Sequence, residues 1–167
     1  MAFNIDSYNN LDFDAKTQVF LKDLEEYLSK ETDIIANLAN TSAFISAFFE
    51  NVNWSGFYLL KENQLVLGPF CGMPATTRIA IGKGVCGTAF EKNEILVVDN
   101  VCEFPGHIAC DVRSKSEVVI PLVKDGKKYG VLDIDSGVYS RFSKEDVEIL
   151  KKVLEILYKY TDLENLK

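Results

Sequence analysis

The sequence predicts an α+β fold in which a central antiparallel sheet is flanked by helices, two at the N-terminal end and one at the C-terminal end. Three observations support this class. Two segments with helical periodicity come first, β-favouring segments fill the middle of the chain, and one strongly periodic segment comes last. Helices and strands that are segregated in this way favour an α+β protein, whereas a doubly wound βαβ fold would alternate them.

The helices are predicted from apolar side chains that recur at steps of three and four between polar ones. The first covers residues 13–29, the second follows Thr32, which is a plausible N-cap, and the last follows Ser143. The expected apolar positions are Phe13, Phe20, Leu24, Tyr27 and Leu28, then Ile34, Ile35, Leu38, Ile45 and Phe48, and finally Val147, Leu150, Leu154 and Leu157.

Six segments favour strands because they are rich in β-branched, aromatic or alternating apolar residues. They are residues 54–60, 65–70, 77–81, 95–98, 116–123 and 129–136. The turn sequences KENQ and KDGKK join the first two and the last two into hairpins. We expect residues 1–167 to form one domain, with N-terminal helices at about 13–50, the sheet and its loops at about 53–136, and the C-terminal helix at about 143–161.

Composition and charge exclude several classes of function. The 167 residues are 47% hydrophobic and 26% charged, which is typical of a soluble globular protein. A net charge of −7 argues against a nucleic-acid surface. No apolar run approaches the roughly 20 residues of a membrane span, and the N-terminus has no signal-peptide pattern. We therefore expect a cytoplasmic protein that binds a small molecule or another protein, with no nucleic acid and no membrane.

The four cysteines, Cys71, Cys86, Cys102 and Cys110, form no CxxC pair, and the chain has only one histidine. These spacings argue against a structural zinc site. A disulfide scaffold is also disfavoured, because a chain of this size can build its own core in a reducing compartment. Buried inert thiols and redox-active thiols remain as alternatives.

The glycine-rich stretch GKGVCG at residues 82–87 is neither a P-loop nor a dinucleotide-binding fingerprint, because the required flanking residues are missing. Its glycines are explained by a loop that needs positive φ or close backbone approach. Cys86 lies near the predicted start of a short helix, where the helix dipole would favour a thiolate.

The stretch FPGHIACD places Cys110 after a turn, three residues beyond His107 and next to Asp111. A cysteine paired with a histidine is a common way to activate a sulfur nucleophile. The alternative is that His107 only stabilises the turn and that Cys110 is inert. These residues alone leave both interpretations open.

Asp133 and Asp135 are two residues apart in a predicted strand, so their side chains lie on the same face. Glu117 lies in the other strand of the same predicted hairpin. Three carboxyl groups on one covered face could bind an ammonium group, hold a metal or provide an acid with a raised pKa. The alternative is an edge strand whose acids face water.

Taken in order, NWSGFYLL, LGPF, RIAIGKGVCGTA, FPGHIACD, SEVVIPL and YGVLDIDS resemble the free methionine-R-sulfoxide reductases, which are single GAF-domain proteins. The similarity runs from about residue 50 to residue 142, and the flanking helices fit as well. The resemblance implies a GAF-like fold and reduction of the R epimer of free methionine sulfoxide. It also suggests a homodimer.

The resemblance implies a role for each matching residue. Cys110 is the nucleophile, which becomes a sulfenic acid and then forms a disulfide. Thioredoxin is the electron donor that reduces this disulfide, and no bound cofactor or metal is expected. Glu117, Asp133 and Asp135 donate the proton and bind the substrate's ammonium group, but the pattern does not say which of them is the donor. Trp54 packs against the S-methyl group.

One position departs from the family pattern. The best-known members of the family carry a cysteine ten residues before the GVCG cysteine, where this chain has Thr76. Cys86 is therefore the first candidate for the thiol that resolves Cys110, and Cys71 is a possible alternative. Cys102 is expected to be structural or incidental.

Two other functions are alternatives to the reductase. A non-enzymatic GAF-type module could bind a small ligand or sense redox state, but the chain shows no signalling domain to receive such a signal. The sequence gives only weak support for a carboxylate metal site, because we expect no histidine near the three acids. With carboxyl groups available for proton transfer, His107 is expected to stabilise its turn.

Overall fold

A computed structural model of the protein describes residues 3–107 and 112–166. The helices are α1 (Phe13–Leu28), α2 (Ile34–Phe48), α3 (Gly84–Lys92) and α4 (Lys144–Tyr160). The strands are β1 (Val52–Lys61), β2 (Gln64–Gly72), β3 (Arg78–Ala80), β4 (Leu96–Val98), β5 (Ser116–Lys124) and β6 (Lys127–Ser136). Short 3₁₀ turns cover Ile5–Tyr8, Val101–Glu103 and Leu163–Asn165.

The strands described form one six-stranded sheet in the order β3-β2-β1-β6-β5-β4. Every neighbouring pair is antiparallel, so the predicted α+β class is confirmed. Both predicted hairpins are present. Their two-residue turns use left-handed backbone at Glu62 and Asn63 (φ 50° and 59°) and at Asp125 and Gly126 (φ 52° and 76°). Paired left-handed residues match the right-handed twist of the flanking strands.

The helix starts agree with the prediction except at α2. Its N-cap is Asp33, not Thr32, because the Asp33 carboxylate accepts a hydrogen bond from the Ala36 N–H at 2.8 Å. Ser143 caps α4 through a capping box with Asp146. No helix in the described part of the chain is long and apolar enough to cross a membrane.

Two predicted core positions were wrong. Phe13 in the first turn of α1 is 45% exposed, and Ile35 near the start of α2 is 54% exposed. Both residues lie in the first turn of their helix, and their apolar character does not enforce burial. The apolar faces of the three long helices supply half of the buried residues of the larger core.

The sheet separates two apolar cores. The larger one lies between the sheet and helices α1, α2 and α4, and the smaller one lies under α3. Because side chains alternate along a strand, Leu132 and Ile134 of β6 join the larger core, whereas Val131 joins the smaller one. Asp133 and Asp135 share the Val131 side, so the α3 face of the sheet carries the acids.

Candidate active site

The three predicted acids lie together on the α3 face of the sheet. Glu117 of β5 is the direct register partner of Asp135 of β6, and Asp133 pairs with Val119 one step along. Their relative exposures are 3% for Glu117, 0% for Asp133 and 1% for Asp135. Since β6 is an interior strand between β1 and β5, the alternative of a solvated edge strand is wrong.

Trp54 of β1 forms the apolar neighbour of these acids. It is the register partner of Asp135 on the other side of β6, and it is completely buried. Its indole stacks with Tyr58 and Phe70 at centroid distances of 6.0 and 5.3 Å, and its ring N–H donates to the Met73 carbonyl at 3.1 Å. These contacts fix the orientation of the ring beside the carboxyl groups.

Trp54 can occupy its position because residue 72, which its indole contacts closely, is a glycine. A Cβ at Gly72, whose φ is +143°, would lie 2.5 Å from Trp54 Cδ1. Only glycine leaves that space free and tolerates that backbone angle. The indole therefore packs directly against the backbone of β2.

Cys86 reaches the acid cluster from the opposite layer. It lies in the first turn of α3, as predicted, and only 3% of it is exposed. Its Sγ donates a hydrogen bond to Glu117 Oε1 at 3.9 Å. Cys86 Sγ and one oxygen each of Glu117 and Asp133 all lie within 4.8 Å of one another.

The docking of α3 explains how Cys86 comes so close to β5. A Cβ on Gly87 would lie 2.4 Å from the Ala80 carbonyl oxygen, so only glycine allows the helix to approach the end of β3. The Gly82 N–H also donates to the Gly87 carbonyl at 2.9 Å and fixes the loop before the helix. The glycine-rich stretch thus acts through close approach, as its sequence indicated.

His107 contacts the acid cluster, which the sequence analysis missed. Its backbone N–H donates to the Phe104 carbonyl at 3.2 Å and closes the turn, in agreement with a turn-stabilising role. Its side chain, 15% exposed, also places Nε2 3.4 Å from Glu117 Oε2. The expectation of no histidine near the acids was therefore wrong. A contact between a loop and a strand ten positions later leaves no periodic signal.

Burial controls the protonation of Glu117. Desolvation raises its pKa well above the usual value, and the charge of Asp135 raises it further. Hydrogen bonds with Asp133 and Cys86 offset part of this effect. Glu117 therefore keeps its proton at pH values where an exposed glutamic acid is ionised.

The pKa of His107 moves in the other direction. Burial lowers it, because the charged imidazolium is poorly solvated, and the nearby Asp133 charge opposes this effect only in part. The side chain that faces Glu117 Oε2 therefore tends towards the neutral imidazole.

The remaining predicted residues lie elsewhere. Cys110 and Asp111 fall outside the described residues. Cys71 pairs with Ser55, whose hydroxyl donates to the Ser42 carbonyl of α2, so Cys71 faces the helix layer and not the acids. Cys102 is exposed in a 3₁₀ turn.

The described part of the cluster suits proton chemistry. Cys86, Glu117 and Asp133 also bring three possible metal-ligand atoms together, the number of protein ligands in catalytic zinc sites. A carboxyl group that retains its proton can donate it to a polar oxygen as charge develops there. The two aspartates beside it supply negative charge for a cationic group, and Trp54 supplies an apolar wall.

Comparison with known proteins adds independent evidence. The GAF domain family model matches residues 23–157. The free methionine-R-sulfoxide reductase of Escherichia coli is 47% identical over 138 residues, 83% of this chain and 84% of that protein. The enzyme of the same name from Saccharomyces cerevisiae is 38% identical over 166 residues, 95% of this chain and 92% of that protein. The X-ray structure of free methionine-R-sulfoxide reductase from Neisseria meningitidis in complex with its substrate matches with a TM-score of 0.84 and 42% identity, covering 91% of this chain and 92% of that chain.

Proposed function

The chain belongs to the GAF-domain family and, within it, to the free methionine-R-sulfoxide reductases, and we propose that it reduces free L-methionine (R)-sulfoxide to L-methionine through a cysteine thiol. The observation that carries this proposal is the buried cluster on the α3 face of the sheet. There a proton-retaining Glu117 lies beside a thiol, two aspartates and an indole.

Asp133, Asp135 and Trp54 determine which substrate is bound. The two aspartates bind the α-ammonium group, which a free amino acid has and an internal peptide residue lacks. Removing carboxylates from water is costly unless an opposite charge compensates, so a bound ammonium group is stabilised there. Trp54, held by Tyr58 and Phe70, packs against the S-methyl group.

The first chemical step forms methionine. The Cys110 thiolate attacks the sulfoxide sulfur while Glu117 donates its proton to the sulfoxide oxygen. The protonated oxygen then moves from the substrate sulfur to Cys110 Sγ, so that the sulfur–oxygen bond of the substrate and the transient sulfur–sulfur bond both break and Cys110 becomes a sulfenic acid. The substrate sulfur is reduced, Cys110 is oxidised, and Glu117 is left as a carboxylate.

A protonated Glu117 also reconciles a thiolate with acidic surroundings. Nearby carboxylates raise the pKa of a thiol, because two negative charges repel. Burial raises the pKa of Glu117 and so favours its neutral form, in which one of these charges is absent before the substrate binds. An ammonium group bound at the aspartates compensates the others.

The second step closes a disulfide between Cys110 and Cys86. Thr76 offers no thiol where the family pattern has one, and Cys71 faces the other side of the sheet. The Cys86 thiol condenses with the sulfenic acid and releases water. Thioredoxin then reduces the disulfide by exchange, so the enzyme needs no bound cofactor and works in the reducing cytoplasm.

A coupled assay tests the proposed activity. NADPH oxidation through thioredoxin reductase and thioredoxin is followed with free L-methionine (R)-sulfoxide, and with the S epimer and the N-acetylated R sulfoxide as matched controls. We expect turnover with the first substrate only, and none with Cys110→Ser. Turnover by Cys110→Ser, or equal rates with the N-acetylated compound, would refute the proposal.

A separate measurement identifies the resolving thiol. After one turnover without reductant, mass spectrometry should find a Cys86–Cys110 link. Cys86→Ser should form one equivalent of methionine and then stop, while Cys71→Ser should continue to turn over with thioredoxin. A Cys71–Cys110 link would contradict this assignment.

A further inference from the structure

The hydrogen bond between Cys86 and Glu117 joins the two groups that act in successive steps of the proposed reaction. The Cys86 Sγ donates to Glu117 Oε1 at 3.9 Å, and each residue is only 3% exposed. The other carboxyl oxygen, Oε2, faces His107 Nε2 at 3.4 Å. Asp133 also shares a hydrogen bond with the Glu117 carboxyl group. Oε1 is the carboxyl oxygen that contacts the thiol and can exchange a proton with it.

The order of sulfoxide reduction and disulfide formation explains how this contact could act in the reaction. Glu117 loses its proton when the sulfoxide oxygen is protonated, and Cys86 must lose its own proton before it can attack the sulfenic acid, because the thiolate is the nucleophile. A carboxylate has then been created next to the S–H group that needs a base.

The surroundings make such a proton transfer energetically accessible. A thiol has a pKa of about 8.5 and an ordinary glutamic acid about 4.3, so an exposed carboxylate is a weak base for a thiol. Burial and the Asp135 charge raise the pKa of Glu117 and narrow this difference. The position of Cys86 in the first turn of α3 favours its thiolate through the helix dipole.

We propose that Glu117 acts twice in each cycle, first as the acid that protonates the sulfoxide oxygen and then as the general base that takes the proton from Cys86 Sγ as this thiol attacks the sulfenic acid. The inference rests on the proposed function. It adds a second catalytic role for Glu117, in the step that this chain carries out without a cysteine at position 76.

The protons and electrons balance through the cycle. Glu117 takes the Cys86 proton, the new sulfur–sulfur bond forms as the sulfur–oxygen bond of the sulfenic acid breaks, and the leaving oxygen receives the proton from Glu117 and departs as water. Reduction by a dithiol then supplies two electrons and two protons. One proton returns to Cys86 and the other to Glu117, and Cys110 leaves as a thiolate.

The test generates the sulfenic acid without the first step. In a Cys71→Ser/Cys102→Ser background, where only Cys86 and Cys110 remain, stoichiometric hydrogen peroxide oxidises Cys110. Disulfide closure is followed by quenching, alkylation and mass spectrometry, and dimedone traps any sulfenic acid that persists. Glu117→Gln fills the same space but cannot accept the proton, and Glu103→Gln, at an exposed position, is the matched control.

We expect Glu117→Gln to slow disulfide closure at neutral pH by about 100-fold, the usual size of a general-base effect, and to accumulate the dimedone adduct. The deficit should shrink at alkaline pH, where Cys86 ionises without a base. Glu117→Asp, which keeps a carboxyl group, should recover part of the rate, and Glu103→Gln should close normally.

Closure of Glu117→Gln at the wild-type rate would overturn the inference and leave the proposed function intact. A slowing that is equal at every pH, with no recovery in Glu117→Asp, would also overturn it, because such a loss reflects structure and not base catalysis. Absence of sulfoxide reduction by the wild-type enzyme is a different result. It would refute the proposed function, and the acid role of Glu117 with it.

Discussion

Glu117 and Asp135 lie directly opposite each other on neighbouring strands, on the same face of the sheet, and both are almost completely buried. Ionising both carboxyl groups of such a pair costs free energy, because the two negative charges repel and both groups are buried. The Asp135 charge accordingly raises the pKa of Glu117 beyond the effect of burial alone. This pair sets the pH range in which the site holds a transferable proton.

Removing the Asp135 charge should change the pH dependence of catalysis. In the proposed mechanism methionine formation needs protonated Glu117, so its rate should fall as the pH rises through the Glu117 pKa. Asp135→Asn lowers that pKa, and the falling limb should move to lower pH. The measurement is the single-turnover rate at saturating sulfoxide across the pH range. A limb at the same pH in both proteins would show that Glu117 is not the proton donor.

Glu117 should also make the stability of the fold depend on pH. Its pKa is higher in the folded protein than the unperturbed 4.5 of an unfolded chain. Its contribution is therefore fully present below pH 4.5 and is lost as the pH rises through the folded pKa, because the charged form is poorly tolerated in the interior. Glu117→Gln has no charge to bury.

As the pH rises from acidic to alkaline, we therefore expect the melting temperature of the wild-type protein to fall more than that of Glu117→Gln. At pH 8, Glu117→Gln should melt several degrees higher than the wild-type protein. Thermal unfolding of the two proteins from pH 4 to pH 9 checks this. Parallel curves would mean that Glu117 ionises in the folded state as easily as it does in water.

Trp54 should contribute to both stability and substrate affinity. Truncation to alanine removes a completely buried indole between two aromatic rings and should cost about 3–5 kcal/mol. Trp54→Phe keeps most of the packing, so it should fold well and should raise KM for methionine sulfoxide more than it lowers kcat. The measurements are thermal unfolding for both variants and steady-state kinetics for Trp54→Phe. A phenylalanine variant with unchanged KM would remove Trp54 from the substrate site.

His107 should influence activity through Glu117, since its imidazole covers Glu117 Oε2 at 3.4 Å. His107→Ala opens this side of the carboxyl group to water, which reduces desolvation and lowers the Glu117 pKa. The falling limb of the pH–rate profile should move to lower pH in His107→Ala and less in His107→Gln, whose longer side chain fills more of the space. If only the melting temperature changed and the profile did not, the histidine would have a purely structural role.

The sequence was informative where periodicity determines geometry. A period of two puts Asp133 and Asp135 on one face. Glu117 lies beside them because the β5–β6 register shifts by one residue between Leu122 and Val123, and pairing counted from the turn alone would place it opposite Ile134. Cys71 points away for a similar reason, because a register shift between Gly56 and Tyr58 makes it the partner of Ser55 and not of Trp54. The alternation within each strand could therefore be predicted from the sequence, whereas the two register shifts could not.

Contacts between layers could not be predicted in this way. The distance from Cys86 to Glu117 depends on how closely α3 packs on the sheet. That packing distance depends on the close contact of Gly87 with the Ala80 carbonyl. The His107 contact depends on the path of a loop across β5. Thr32 and Asp33 are both good caps, and only the placement of the carboxylate on the Ala36 N–H decides between them. The local geometry of Cys110 lies outside the residues described.

The opposite orientation of Cys71 and Cys86 has a consequence for fidelity. A disulfide between these two thiols would have to cross the sheet, so the folded chain excludes it. The sheet separates Cys86, which we propose as the resolving thiol, from Cys71. Oxidant that reaches Cys71 on the helix side cannot divert Cys86 into a dead-end intramolecular pair. Pairing of Cys71 with Cys86 within one chain therefore cannot compete with the Cys86–Cys110 disulfide that we propose.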